Sequence, residues 1–163
     1  MIQRIQSIYL LLVVIFQGLL FATALATFTS YETSFNLSLM GFYKLSSAGQ
    51  EMMINSYALM AVNILVMLFS LFVIFSFKNR KKQIKLAAFN ILLICGFIVL
   101  MFYSFDNAKS FLDNTFNNSQ GAELSTTYGI GMILPILSLV FNFLAIKGIR
   151  KDEELVKSAD RIR

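Results

Sequence analysis

Four long apolar runs dominate the pattern of hydrophobic and polar positions along the chain, and none of them contains a charged side chain. A helix needs about 20 apolar residues to cross the hydrocarbon core of a bilayer, and each run reaches that length. Helix is the expected form, because it satisfies its own backbone hydrogen bonds in lipid and the runs lack the alternation of barrel strands. The predicted spans cover residues 8–28, 57–77, 86–105 and 127–146.

The connecting segments predict two small features outside the bilayer. Apolar and polar residues alternate at positions 35–39, and the pattern continues through Gly41 to Leu45, which predicts a short β-hairpin. The connector after the third run, residues 106–126, is acidic and rich in Asn and Ser. Apolar side chains spaced over residues 105–116 predict a short amphipathic helix resting on the membrane surface.

Composition agrees with a membrane protein. Hydrophobic residues make up 57% of the chain and charged residues only 14%, which is more apolar surface than a soluble domain of this size can bury. We therefore expect an all-α membrane protein with one domain, residues 1–163. It would consist of a bundle of four transmembrane helices, a short extracytoplasmic β-hairpin and a cytoplasmic C-terminal helical tail at residues 147–163.

The distribution of Lys and Arg predicts the orientation, because basic residues are enriched in the cytoplasmic segments of membrane proteins. Only Lys44 and Lys109 lie in the connectors after the first and third runs. The other twelve basic residues flank the opposite ends of the runs: Arg4, Lys78, Arg80, Lys81, Lys82, Lys85, Lys147, Arg150, Lys151, Lys157, Arg161 and Arg163. We expect both termini in the cytoplasm and a multi-pass protein of a bacterial inner membrane.

A cleaved signal peptide is the alternative interpretation of the first run. Arg4 precedes the run, and Ala24-Leu25-Ala26 fits the small-residue pattern of a cleavage site. The run is long for a signal peptide and the segment before it is short, so we favour an uncleaved span.

Small residues in two of the runs predict helix-packing faces, because close backbone approach drives helix association in lipid. In the first run they recur at four-residue spacing. In the fourth run the steps alternate between four and three residues, which places all members on one helical face. The two faces consist of Gly18, Ala22 and Ala26, and of Gly131, Pro135, Ser138, Asn142 and Ala145.

One amide side chain lies in each run: Gln17, Asn63, Asn90 and Asn142. An unpaired amide facing lipid is costly, so each is expected to face the bundle interior. Asn90 and Asn142 are predicted near the cytoplasmic ends of their spans, where they can meet. Hydrogen bonding between helices is the favoured interpretation, and a polar path or small ligand site is the alternative.

Pro135, the only proline, is predicted in the middle of the fourth span. It should kink the helix there, because proline lacks the backbone donor and its ring displaces a carbonyl of the preceding turn. A static kink is expected, with a moving hinge as the alternative.

The tail is predicted to form an amphipathic helix that docks on a protein or lies at the membrane edge. Its charges are mixed, whereas an anchor for anionic lipid alone would carry fewer carboxylates. The predicted interaction residues are Arg150, Lys151, Glu154, Leu155, Ala159 and Ile162. A solvated extension of the fourth span is the alternative.

The sequence offers no pattern typical of an enzyme, a metal site or a cofactor site. It has no His, and its one cysteine, Cys95, lies inside an apolar run. The carboxylates outside the spans lack the clustering that metal-dependent chemistry on lipid head groups needs. Nucleic-acid binding is not expected either, because the basic residues flank apolar runs and form no continuous basic face.

The two ends of the chain resemble a known family. Residues 1–12, MIQRIQSIYLLL, and residues 145–163, AIKGIRKDEELVKSADRIR, are similar to a family of small four-helix inner-membrane proteins of the Bacteroidota, known as a domain of unknown function. The resemblance implies a bacterial inner membrane, an uncleaved first helix and a cytoplasmic tail. It implies no activity and no catalytic residues.

The favoured functional hypothesis is a non-catalytic accessory or stabilising subunit of a larger membrane protein complex. Its expected partners are the lipid bilayer and other membrane proteins. A small transporter or channel formed by self-association is the alternative, with the four amides and Pro135 lining its route.

Overall fold

The structure is a computed structural model that describes residues 3–30, 33–46, 49–77, 79–116 and 125–161; the side chains of residues 3–5, 116, 157 and 159–161 are not described. The helices are α1 (Gln3–Leu19), α2 (Tyr57–Phe75), α3 (Arg80–Phe116) and α4 (Leu134–Arg161). The strands are β1 (Ala24–Thr29), β2 (Ser34–Ser38), β3 (Gly41–Ser46), β4 (Gly49–Asn55) and β5 (Ser125–Tyr128), and one 3₁₀ turn, Ile130–Met132, precedes α4.

The strands form one antiparallel sheet in the order β4-β3-β2-β1-β5. The prediction of an all-α bundle of four transmembrane helices is therefore wrong, because the fold is mixed α and β. The hairpin predicted near residues 35–45 lies at β2 and β3, which pair from Ser34–Leu45 to Leu37–Phe42. It belongs to a larger sheet, whose outer members come from segments that were predicted as helix or as irregular connector.

The first predicted span, residues 8–28, is wrong at its C-terminal end. Helix α1 ends at Leu19, and β1 occupies residues that the apolar pattern assigned to helix. Alternating Thr27, Phe28 and Thr29 suit an extended strand, because β-branched and aromatic side chains pack well on a pleated surface. Strand β1 is central, pairing with β2 on one side and β5 on the other, so its backbone hydrogen bonds are satisfied by sheet partners.

The fourth predicted span, residues 127–146, also begins too early. Strand β5 and the 3₁₀ turn occupy its first part, and α4 begins only at Leu134. Pro135 is thus the second residue of α4, where its missing backbone donor would have no helical partner in any case. The prediction of a kink at mid-span is therefore wrong, because Pro135 lies where α4 begins.

Helix α3 extends past both ends of its predicted span and joins the helices to the sheet. Its last three turns carry Phe105, Ala108 and Leu112, all buried in the same core as the sheet residues Phe28 and Phe42. The ring centroids of Phe28 and Phe105 are 5.5 Å apart. The separate amphipathic helix predicted at residues 105–116 is thus the C-terminal part of α3, packed against one face of the sheet.

The four helices pack side by side, with α1 and α3 each contacting both α2 and α4. Chain direction places the start of α1, the end of α2 and the start of α3 at one end of this group, which we call the basic end. The opposite end, which carries the sheet, is the sheet end. A second core cluster of Leu10, Val73, Ala87, Ala145 and Ile146 fills the interior toward the basic end.

Three of the described helices are long and apolar enough to cross a membrane: α2, α3 and α4. Helix α1 is apolar but shorter. Many large apolar side chains on the outer faces are exposed, including Leu68, Phe72, Leu92, Val99 and Phe143. Such a continuous apolar exterior is incompatible with water and fits hydrocarbon, which indicates a membrane protein.

Candidate functional site

The interior between the helices contains the four amides, one from each helix, and all four are fully buried. Toward the sheet end, the Nδ2 of Asn63 on α2 donates to the backbone carbonyl of Gln17 on α1 at 3.1 Å. That carbonyl lies in the last turn of α1, where helix carbonyls lack an intrahelical donor. The Asn63 side chain therefore caps the C-terminal end of the neighbouring helix α1.

The other two amides lie nearer the basic end and bond to different groups. The Nδ2 of Asn90 donates to the Oγ of Ser70 at 2.8 Å, and that hydroxyl donates to the carbonyl of Val66. The Nδ2 of Asn142 donates to the backbone carbonyl of Ala87 at 3.3 Å. Asn90 thus joins α3 to α2, and Asn142 joins α4 to α3. The pairing of Asn90 with Asn142 that the sequence suggested is not the one formed.

Five buried side-chain atoms among the described residues have no hydrogen-bond partner within the chain. They are Nε2 and Oε1 of Gln17 and the Oδ1 atoms of Asn63, Asn90 and Asn142. A buried polar atom without a partner costs about 1–3 kcal/mol. The interior is therefore a polar region with spare hydrogen-bonding capacity, mostly acceptors.

The predicted packing face of the first span does not lie on one helix. Gly18 is in α1, Ala22 is in the turn that follows, and Ala26 is in β1. A Cβ built on Gly18 would meet no heavy atom within 4 Å, so this glycine does not provide a close helix contact. The four-residue spacing was irrelevant here because the chain leaves the helical conformation after Leu19.

The predicted face of the fourth span is buried at all five positions, although two elements share it. Gly131 is in the 3₁₀ turn, whereas Pro135, Ser138, Asn142 and Ala145 follow one another along α4. A Cβ on Gly131 would lie 2.7 Å from the carbonyl oxygen of Ala24. The close approach that the small residue permits is therefore to the backbone at the start of β1.

A cluster at the basic end was missed by the sequence reasoning. The side chains of Gln6 and Asp152 are both 6% exposed, and the Nε2 of Gln6 donates to Oδ2 of Asp152. The Nη1 of Arg80 donates to the backbone carbonyl of Asp152 at 3.1 Å. A Cβ on Gly148 would lie 3.1 Å from the Cγ of Gln6, so this glycine allows the two helices to pack closely there. The cluster joins α1, α3 and α4.

The predicted interaction tail is continuous with α4. Of its six predicted residues, Arg150, Lys151, Glu154 and Leu155 are exposed, the side chain of Ala159 is not described, and Ile162 lies outside the described residues. Helix α4 continues past Asp152 to Arg161, roughly 13 Å at 1.5 Å per residue. Leu155 is 50% exposed in this extension.

Strand β4 is a second surface that the sequence reasoning missed. Among the described strands it lies at the edge of the sheet and pairs only with β3, and its residues are exposed along its whole length. Met52, Met53 and Ile54 are 48%, 44% and 37% exposed. Glu51, its one charged residue, lies opposite Lys44 of β3. The alternation of apolar and polar residues used to find β2 is absent here, so the segment gave no strand signal.

Among the described residues, no group of three or more His, Cys, Asp and Glu side chains is arranged to hold a metal ion. Cys95 is exposed on the outer face of α3. The side-chain oxygens in the interior belong to amides and hydroxyls. They are neutral and suit hydrogen bonding to neutral polar groups.

A comparison with protein families identifies the family of the chain. A family model described as Domain of unknown function (DUF4293) matches residues 2–162. The chain belongs to this family. The match covers nearly the whole chain, so helices and sheet fall within one family unit. A comparison with curated proteins finds no match.

Proposed function

We propose that this DUF4293 protein is a non-catalytic accessory or stabilising subunit of a larger protein complex in a bacterial inner membrane. The basic end would face the cytoplasm, because twelve of the fourteen Lys and Arg residues flank that end of the apolar runs. The contact of Gln6 with Asp152 keeps the start of α1 beside the C-terminal part of α4. Both termini would then be cytoplasmic and the sheet extracytoplasmic.

The observation that carries the proposal is the open edge of β4. An edge strand presents backbone N–H and C=O groups that can pair with another chain, and soluble folds usually protect such edges with charges or short strands. Here a seven-residue strand is exposed throughout and carries three exposed apolar side chains. Met is common at protein-binding surfaces because its side chain adapts to the partner.

The occupant of this edge would be an extended segment of another membrane protein. Strand addition supplies affinity through backbone hydrogen bonds and specificity through alternate side chains. The low charge of β4 favours an apolar, uncharged segment, since its one carboxylate is already opposite Lys44. A second copy of this chain is the competing occupant, and the experiment below distinguishes the two.

The test is recovery of a partner from mild-detergent extracts with a C-terminally tagged chain. Met52→Lys should release a stoichiometric partner, because a charge on an edge strand opposes strand addition. Met40→Lys is the matched control: Met40 is 45% exposed but lies in the turn between β2 and β3. It should retain the partner.

Three results would refute this proposal. Recovery of the unmodified chain as a lone monomer in several mild detergents would show that it forms no stable complex. Equal retention of the partner by both lysine variants would show that the partner does not bind at the β4 edge. Recovery of a second copy of this chain, and of no other protein, would show that the protein forms a homo-oligomer and is not an accessory subunit.

The second candidate is a small self-associating transporter or channel, and the unpartnered buried amide atoms favour it. Three of these atoms are the Oδ1 atoms of Asn63, Asn90 and Asn142. They could hydrogen-bond to a polar solute in place of its water of hydration. Replacing Asn90 and Asn142 with Leu should abolish flux in proteoliposomes while the helical circular dichroism is retained. Variants that misfold, or that keep normal flux, would leave this candidate without support.

A further inference from the structure

Exposed lysines at the start of α3 lie directly in line with an exposed apolar stripe on the same helix. Lys81 and Lys85 are exposed and four residues apart, and the next positions on that face are Phe89 and Leu92. Phe89 is 50% exposed and Leu92 is 66% exposed. Two cations therefore cap a column of side chains that faces hydrocarbon when α3 spans a bilayer.

Helix α4 repeats this arrangement at the same end of the molecule. Its outer face carries Val140 and Phe143, 46% and 58% exposed, followed by exposed Lys147 and Arg150. The hydrogen bond from Arg80 to the carbonyl of Asp152 joins the two helices at this end. Apolar stripe and cations are thus combined on two neighbouring helices.

Carboxylates do not neutralise the α3 face from within the same helix. The sequence has no Asp or Glu from residue 76 to residue 105. On α4, Asp152 is buried and accepts a hydrogen bond from Gln6, and Glu153 and Glu154 lie on the extension beyond the cluster. The exposed charge nearest the apolar stripes is therefore positive on both helices.

We infer that the basic end binds anionic phospholipids, with the phosphate at Lys81 and Lys85 and an acyl chain along Phe89 and Leu92. An anionic phospholipid matches both halves of this surface at once, because its phosphate faces the cations and its acyl chain lies along the apolar stripe, whereas an acidic protein or a nucleic acid would match only the cations. Lysine stems can lie along the apolar surface while the ammonium groups reach the head groups. This inference rests on the membrane-spanning character of α3 and is independent of the proposed accessory role.

Titration of the purified full-length chain with phosphatidylglycerol and phosphatidylcholine, followed by native mass spectrometry, tests the inference. The unmodified protein should retain phosphatidylglycerol in preference to phosphatidylcholine. Lys81→Gln with Lys85→Gln should weaken retention of phosphatidylglycerol roughly fivefold for each lysine removed. Lys44→Gln with Lys109→Gln removes the same charge from the sheet end and should leave retention unchanged.

Further controls separate lipid from other sources of phosphate and from misfolding. Lys81→Arg with Lys85→Arg should retain phosphatidylglycerol, and raised salt should weaken its binding to the unmodified protein. Equal retention by the unmodified chain and the Lys81/Lys85 glutamine variant would overturn the inference, as would an equal loss in the Lys44/Lys109 variant. Displacement by inorganic phosphate at the same concentration would indicate a phosphate site in place of a lipid site. If the glutamine pair does not fold, a salt-insensitive preference for phosphatidylglycerol in the unmodified protein would also overturn it.

Discussion

At the scale of single residues, two neighbouring amides in the helix interior differ in how many of their polar atoms are hydrogen-bonded. The Asn63 amide nitrogen bonds to the backbone carbonyl of Gln17, which its own helix leaves without a donor. The Gln17 side chain is equally buried, but neither Nε2 nor Oε1 has a partner among the described residues. Chemical type alone therefore does not decide whether a buried amide stabilises the fold; the positions of its partners do.

Gln17→Met should raise the stability of the protein by about 1 kcal/mol or more, because it removes two unpaired polar atoms at nearly constant volume. Asn63→Leu should instead change stability by less than about 1 kcal/mol, because removal of its own unpaired Oδ1 offsets the loss of the hydrogen bond to the Gln17 carbonyl. Thermal unfolding in detergent, followed by circular dichroism, measures both. A loss of stability in Gln17→Met would mean that its amide is hydrogen-bonded in the membrane-embedded protein.

The amides could be singled out from sequence because a polar side chain in an apolar run has few acceptable environments. Their partners could not be predicted. Which groups meet depends on the rotation of each helix and on its height relative to its neighbours. Asn90 meets Ser70 and Asn142 meets the Ala87 carbonyl, and each of these contacts joins two helices.

At the scale of elements, an apolar run shows that a segment is buried or lies in lipid but does not distinguish helix from strand. Helix α2 was predicted at residues 57–77 and is Tyr57–Phe75, with Ser56 and Ser76 directly before and after it. The first run instead ends in β1 and the fourth run begins in β5, and these two strands pair with each other. The concentration of Thr in both segments was the available signal, since Thr favours strands. Pairing between segments so far apart in the chain has no local signature.

The junction between these strands and α4 depends on glycine. Gly131→Ala should destabilise the protein by about 1–3 kcal/mol, because the added Cβ would lie 2.7 Å from the Ala24 carbonyl oxygen and force the backbone apart. Gly18→Ala is the matched control in α1, where the Cβ has open space and alanine should gain about 0.5–1 kcal/mol. Chemical or thermal unfolding of the two variants side by side is the measurement. Similar effects of both changes would contradict the close approach at Gly131.

At the scale of the whole molecule, the helices are joined at both ends by segments distant in sequence. At the sheet end, the last turns of α3 pack on the sheet through Phe105 and Leu112. At the basic end, Gln6, Arg80 and Asp152 join three helices. Because Asp152 lies past the apolar part of α4, the sequence analysis assigned it to a tail that docks on another protein or lies at the membrane edge. The structure divides that tail into a docked part and an exposed part.

Two truncations test this division, and they differ by only three residues. A chain ending at Glu153 keeps Asp152 and loses the end of α4, whose described side chains are exposed, so it should unfold close to the full-length temperature. A chain ending at Arg150 leaves Gln6 buried without its acceptor and Arg80 without its carbonyl, at a cost of about 1–3 kcal/mol for each lost partner. At about 2–4 °C per kcal/mol, the second truncation should melt several degrees lower. Equal melting temperatures would mean that the three helices are held at the basic end without this cluster.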